Sequence, residues 1–311
     1  MSETNAMPSV SVVIPTHDRP DFVRNAVRSV LEQDYSGAVE ALVVFDGSEP
    51  IEIAPPTGMD GDRRVSTLVN TRKRGAFGAR NTGLLAATGD LVAFLDDDDE
   101  WLPSKLARQV AVLRSRRADV VFTAVRYRAG DRYRDYVPAF SPEDPVRGLV
   151  GGGVFMPLQT MLGWREAVQG DLIDENFRTG GDQEFVLRLL LRLRAQVIKE
   201  PLVLMNRGHS TRLSMDYERK LENVEYMRGK HAELFARYRP DLSASHARFA
   251  LLALGNGKRR EARKWAARSI RANPKRFHNW LIGLLVVAMP PLSLDSLQAV
   301  HHRIFWRRVR A

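Results

Sequence analysis

Four consecutive aspartates, Asp96 to Asp99, follow directly on the apolar run Leu91 to Leu95. The run reads as a buried strand, and four adjacent carboxylates at its end repel one another. A cation relieves that repulsion. The simplest is a divalent metal carrying a phosphorylated ligand, since Mg2+ takes one or two carboxylates and completes its shell with water and phosphate oxygens. Asp96 and Asp98, alternate residues of an extended segment, point the same way and suit that role. The competing reading is a solvated acidic turn that caps a helix opening near Pro103. Two more aspartates stand in comparable settings. Asp46 ends the apolar run Ala41 to Phe45, and Asp182 lies in Gly-Gly-Asp-Gln-Glu just before the helix-forming stretch Phe185 to Arg194. The competing reading of Asp182 is that helix's N-cap.

The elements that must carry these acids alternate. Val10 to Ile14 is a β-branched strand stopped by Pro15, and Phe22, Val23, Ala26, Val27, Val30 and Leu31 recur at helical spacing after it. Ala41 to Phe45 and Val65 to Val69 are further strands, Ala76 to Ala87 a helix, and Leu91 to Leu95 the fourth strand. Pro103 to Arg116 predicts an amphipathic helix and Asp119 to Tyr127 a fifth strand. The polar, proline-containing segment Asp131 to Gly148 follows, Val154 to Leu162 reads as extended, and Gln196 to Met205 as a last strand. Such alternation predicts an α/β fold on a parallel-based sheet covered on both faces, with ligands at the carboxyl ends of its strands. Asp18, Asp46 and the acidic run fall there. From Met215 the pattern is helical, with turns at Pro240, Gly255 to Gly257 and Asn273-Pro274.

The 311 residues, 44% of them hydrophobic, suffice for one large α/β domain with an appended subdomain. With no cysteine, disulfides and Cys-based zinc sites are excluded, which suits a reducing compartment. Met1 to Pro8 has neither a basic n-region nor an apolar h-region, so no secretory signal is expected. The expected location is cytoplasmic, with a peripheral position on the cytoplasmic face of the membrane open. The net charge of +10 is unevenly placed: thirteen basic residues lie at or beyond Leu251, against Glu261 and Asp295.

In order along the chain, Ser9-Val-Ser-Val-Val-Ile-Pro-Thr-His-Asp-Arg-Pro, Asp46-Gly-Ser, Gly78-Ala-Arg-Asn-Thr-Gly, Phe94-Leu-Asp-Asp-Asp-Asp-Glu-Trp, Asp174-Glu-Asn-Phe and Gly181-Asp-Gln-Glu-Phe resemble the family 2 glycosyltransferases of the GT-A fold. The resemblance implies a Rossmann-like nucleotide-sugar-binding domain over about residues 8–215, followed by a helical, basic region over 216–311. It implies a nucleotide-sugar donor (UDP-, GDP- or dTDP-sugar), Mn2+ or Mg2+, and inversion at the anomeric carbon. Carried over by position, Asp182 is the base. Pro15, Thr16, Asp18, Asp46, Arg80, Asp96 and Asp97 belong to the donor site, Asp46 toward the nucleoside. Asp96, Asp98 and His209, the last in an Arg-x-His segment, are the metal group; Asp97 and Asp99 read as structural or outer-shell. The chain departs from the family pattern at Phe45, where an aspartate is common, at His17-Asp18, which replaces Tyr-Asn, and at Gly181, which replaces the Glu before the base. Glu184 is then the fallback base. Processive relatives carry Gln-x-x-Arg-Trp and several membrane spans; neither occurs, so a single addition is expected, to a glycan or lipid-linked glycan in cell-surface polysaccharide biosynthesis. A nucleotide-sugar-binding protein without catalysis is the alternative. A nucleotidyltransferase would need a Gly-x-Gly-Thr-Arg type loop, which is absent.

One stretch stays open. Trp280 to Met289 is too continuously apolar for a one-faced helix and too short to span a bilayer, and Lys275-Arg276 and Arg303 to Arg310 flank it. It is either a helix docked on the catalytic domain or an in-plane anchor at an anionic membrane surface. No recognisable module supports nucleic-acid binding.

Overall fold

All seven residues of the first strand, β1 (Val10–Thr16), are buried, so both of its faces are covered, as in a sheet with layers on either side. The computed structural model describes residues 6–56, 58–59, 61–115, 117–152, 154–206 and 217–288. In chain order β1 is followed by α1 (Pro20–Leu31), β2 (Val39–Phe45), β3 (Arg63–Val69), α2 (Ala76–Ala86), β4 (Leu91–Phe94), β5 (Asp99–Trp101) and α3 (Lys105–Arg114). Next come β6 (Val120–Ala129), β7 (Arg132–Tyr136), α4 (Arg147–Val150), a 3-10 turn at Leu158–Thr160, β8 (Leu162–Trp164), α5 (Arg165–Gln169), α6 (Gly181–Arg192) and β9 (Ala195–Asn206). The described chain forms two compact units, Met1–Pro145 with Met156–Arg212, and Val146–Phe155 with Leu213–Ala311.

The first unit is built on a sheet in the order β3-β2-β1-β4-β8-β6-β9-β5, with β7 on β6. Its first four strands are parallel; β8 then runs antiparallel to both β4 and β6. The parallel-based sheet expected from the sequence is thus present, with antiparallel strands added beyond β4. The parallel part brings the ends of β1, β2 and β4, and with them Thr16, Asp46 and the acidic run, to one edge. Helix α2 lies close against this part: a Cβ on its Gly83 would meet Val13 Cγ1 at 2.4 Å, so only glycine permits the approach.

The polar segment Asp131 to Gly148 contains β7, an edge strand whose Arg132 and Arg134 are exposed and whose partner is β6. Three local readings are corrected. Of the piece read as extended, only Leu162 enters the sheet, because the Pro157 peptide has no N–H to pair and a 3-10 turn follows it. Helix α6 starts at Gly181 rather than Phe185, with Gly180 at φ 77° before it. Asp182 is thus inside the first turn and is not the N-cap, although a carboxylate there still meets the favourable end of the helix dipole. Finally, α3 has Ser104 before it and no acid in its first turn, so the acidic run does not cap it.

The second unit's helices are α4, α7 (Tyr217–Lys230), α8 (Ala232–Arg237), α9 (Leu242–Gly255), α10 (Arg259–Ala272) and α11 (Phe277–Ala288). Its core joins Ala247, Leu251 and Leu254 of α9 to Ala262, Trp265 and Ala266 of α10 and Ile282 and Val286 of α11. No described helix is long and apolar enough to cross a membrane. His246 of α9 sits in this core with its ring centroid 5.5 Å from that of Trp265. Burial, reinforced by Arg228, lowers its pKa to about 4. The unfolded chain, near 6.5, takes up the proton first, so this contribution is complete above about pH 6.5 and is lost as pH falls toward 4. Thermal unfolding followed between pH 7 and 5 should show a loss growing toward about 2–3 kcal/mol at lower pH, and His246→Phe should flatten it. An unchanged slope in the variant would assign the dependence elsewhere.

Candidate active site

The four aspartates do not share a direction. Asp97 and Asp98 form a turn, and Asp99 opens β5, where it pairs with Met205 of β9. Asp97 is buried and faces the end of β1: Thr16 Oγ1 donates to it at 2.8 Å and Arg19 Nη1 at 3.3 Å. Its burial outweighs these two bonds and, helped by Asp98 and Asp96, pushes its carboxyl up to about 6. Asp96, Asp98 and Asp99 gather instead, with carboxylate oxygens within 4.8 Å of one another. The Asn206 amide anchors this turn, donating from Nδ2 to the Asp98 carbonyl at 2.6 Å while its backbone N–H reaches Asp99 Oδ1 at 3.0 Å.

These three carboxylates fit a hard divalent cation: their oxygens converge, and oxygen donors of this kind are what Mg2+ and Mn2+ take. Asp96 is steadied from two sides, by the guanidinium of Arg80 and by the amide Nε2 of Gln159. Arg80 is 8% exposed. Burial works against its charge, but Asp96, Asp182 and Asp97 outweigh it and hold the guanidinium ionised. Asp182 lies in the same field. Its carboxyl is raised by burial and by Asp96, while Arg80 lowers it. A single buried arginine therefore connects the acidic run to the first turn of α6.

The Gln159 carbonyl also accepts from Trp101 Nε1 at 3.2 Å, and Lys105 is fully buried with its Nζ 3.7 Å from the Trp101 ring centroid, where burial lowers its pKa well below the ordinary lysine value. Gln183, next to Asp182, closes the frame: it exchanges two bonds with the Met156 backbone, at 2.8 and 3.2 Å. The segment carrying Gln159 is thus tied to the helix carrying Asp182.

At the neighbouring strand ends, the Asp46 carboxylate accepts from Asn70 Nδ2 at 2.7 Å and from the Gly75 N–H at 2.8 Å, at the entry to α2. His17 Nδ1 meets the Asp46 carbonyl at 2.7 Å. Asp18 is exposed at φ 49°, a left-handed conformation that aspartate tolerates, and lies 3.6 Å from His17 Nε2. Pro15 and Thr16 close β1 opposite Val44 and Phe45. His209 falls outside the described residues.

Residues 11–166 match the family described as Glycosyl transferase family 2. The chain belongs to that family. It is 25% identical over 250 residues to WcaA of Escherichia coli (strain K12), named as a colanic acid biosynthesis glycosyl transferase, covering 74% of this chain and 84% of WcaA. It is 34% identical over 104 residues to WfgD of Escherichia coli, a UDP-Glc:alpha-D-GlcNAc-diphosphoundecaprenol beta-1,3-glucosyltransferase, covering 33% of this chain and 40% of WfgD. Among solved structures, S. aureus TarS 1-349 in complex with UDP-GlcNAc aligns over 95% of this chain and 92% of its own at 15% identity, with a TM-score of 0.61. The fold is GT-A and the protein is a glycosyltransferase.

For this glycosyltransferase the structure also explains how separate motifs hold one another. Asn81, fully buried, donates to the Ile173 carbonyl at 2.8 Å, accepts from the Ile173 N–H at 2.8 Å and donates to Glu175 at 2.7 Å. The α2 motif and the Asp174-Glu175 motif are therefore two sides of one clamp. The departure at Gly181 has a steric cause: a Cβ there would lie 2.9 Å from the Phe77 ring and 3.1 Å from Phe177 Cβ. Glu184 is not positioned as a fallback base, since it is fully buried and paired with Arg188 at 3.0 Å. Sequence reasoning missed Arg19, Gln159 and Asn206. Arg19 stood inside a quoted motif; Gln159 and Asn206 had no signal beyond their places beside an apolar run and at a strand end.

Proposed function

We propose that the protein moves one sugar from a nucleoside diphosphate sugar to a hydroxyl of a lipid-linked glycan, with inversion, in the sheet-bearing unit. The observation that carries this reading is the coupling of Asp182, through Arg80, to the gathered acids Asp96, Asp98 and Asp99. Inversion needs one base and no protein nucleophile. Asp182 takes the acceptor's hydroxyl proton, the freed oxygen forms a bond to the anomeric carbon, and the bond from that carbon to the diphosphate breaks with its electron pair on the leaving group. An elevated carboxyl suits a base. Arg80, held charged, faces the negative charge that grows on the diphosphate. Asp46, with Pro15, Thr16 and Asp18, frames the nucleoside side, and Asp97 holds the β1 end against the acidic turn through Thr16. Mn2+ or Mg2+ bound by Asp96 and Asp98, beside Asp99, supplies charge neutralisation at the leaving diphosphate.

The lipid-linked acceptor is taken by similarity from WfgD, whose name specifies a diphosphoundecaprenol acceptor, and polysaccharide assembly from WcaA. Such an acceptor and a nucleotide donor meet at the cytoplasmic face of a membrane. Purified protein incubated with UDP-, GDP- and dTDP-sugars, a polyprenyl diphosphate-linked glycan and Mn2+ should release nucleoside diphosphate from one donor and add one sugar per acceptor, and EDTA should stop it. Absence of release with every donor, together with absence of any donor-induced rise in melting temperature, sinks the reading.

A further inference from the structure

Helix α11 has two apolar faces, and among the described residues only one of them is packed within its unit. Ile282 and Val286 are fully buried against α9 and α10, and Asn279 between the same helices donates to the Ser269 and Asn273 carbonyls at 3.1 and 2.9 Å. These positions hold the helix in place. On the opposite side Phe277, Trp280, Leu281, Leu284 and Val287 recur at i, i+3, i+4, i+7 and i+10, and they are 73, 53, 39, 65 and 64% exposed. A row of five large apolar side chains on one stripe is more than the scattered exposure normal for a soluble surface. The Trp280 indole N–H is already satisfied by the Pro274 carbonyl at 2.9 Å, which leaves its ring outward.

Charge identifies the occupant. Lys275 and Arg276 directly precede the stripe and Arg271 lies one turn earlier; all three are exposed and have no acidic partner among the described residues. Arg263 and Lys264 add exposed positive charge on α10. A second copy packed parallel on the stripe would bring these like-charged flanks together, and one packed antiparallel would set them against a helix that carries no acid. A nucleic acid would satisfy the cations and leave Leu284 and Val287 in water. A bilayer interface rich in anionic lipid satisfies both, apolar side chains entering the acyl boundary while Lys and Arg meet the headgroups. The 12 described residues of α11 span roughly 18 Å and Pro290-Pro291 follow in the sequence, an apolar run too short to cross, so an orientation in the plane is the one that fits.

We propose that the outer face of α11 is a docking surface for an anionic membrane. The inner face packs on α9 and α10 within the helical unit, and the outer face is the one presented to the membrane. The proposal does not depend on the identity of donor or acceptor. Full-length protein is floated with phosphatidylcholine vesicles, with and without phosphatidylglycerol, beside the variants Trp280→Ser/Leu284→Ser and Lys275→Glu/Arg276→Glu. Both pairs are exposed, so unchanged circular dichroism and melting will certify folding. The expected result is flotation with anionic vesicles only, at least 10-fold weaker in either variant. No flotation overturns the proposal, as does flotation that both variants retain. A concentration-dependent dimer abolished by the serine variant assigns the face to a second copy instead. Binding that appears only after residues 289–311 are removed assigns it to this chain's own segment. Oligonucleotide binding that the serine variant retains, without flotation, assigns the cations to nucleic acid.

Discussion

Asp182→Asn should lower sugar transfer by about 10²–10⁴-fold and leave the donor's dissociation constant nearly unchanged. The substitution keeps the size and planarity of the side chain in the first turn of α6 and removes its capacity to take a proton. Arg80 loses one of the carboxylates that hold it ionised but retains Asp96, its hydrogen-bonded partner. The leaving-group side of the site therefore remains assembled. In the unsubstituted protein, burial and Asp96 raise the Asp182 carboxyl. The acidic limb of the pH–rate profile should accordingly lie above the ordinary aspartate range, with activity falling as pH drops through it and the base becoming protonated. Single-turnover transfer and donor titration on the same preparation separate the two effects. Undiminished transfer by the variant would remove Asp182 from the mechanism; a matching loss of donor affinity would make it a binding residue.

Asp98→Asn should weaken Mn2+ binding by at least about 10-fold and reduce transfer by about 10²–10³-fold, because the charge that grows on the leaving diphosphate is no longer neutralised as well. The backbone turn should persist, since its anchor is the Asn206 side chain on the Asp98 carbonyl. Asp97→Asn is the comparison. Its side chain belongs to Thr16 and Arg19, outside the group of three, so Mn2+ affinity should stay close to that of the unsubstituted protein. Both affinities can be read by the loss of the free Mn2+ paramagnetic resonance signal, without any turnover. Equal affinities in the two variants would show that the acids are not divided as the turn divides them.

Much of this architecture could be read from the chain. β1, β2 and β4 are mostly β-branched and apolar, and Pro15, Asp46 and Asp96 mark their ends to within one or two residues, although β1 runs through Pro15 to Thr16. The signal is strong because both faces of a buried strand must be apolar. What escaped was set by tertiary pairing. β5 and β8 have three residues each, too few to express a period. β7, Arg-Tyr-Arg-Asp-Tyr, is polar because it is an edge, and nothing local distinguishes it from a loop. The start of α6 was misplaced because two glycines precede Asp182, and the chain uses Gly180 for a left-handed turn and Gly181 to clear Phe77. In the site, the acids were legible by type and crowding, and their division was not. That division depends on Thr16 and Asn206, which reach the run from β1 and the end of β9, while Arg19 touches both Asp97 and Asp98.

The acidic run is thus a word of four identical letters whose meaning lies in the reader. Swapping any two of its members leaves the sequence unchanged, yet the chain assigns each an address: Asp97 toward the β1 end, Asp96 toward Arg80 and Gln159, Asp98 and Asp99 under Asn206. A change of chain length within the run would conserve the composition of acids and scramble the addresses. The arrangement of the acids can therefore be changed through the neighbours that fix the phase, Arg80, Gln159 and Asn206 among them, without altering a single aspartate.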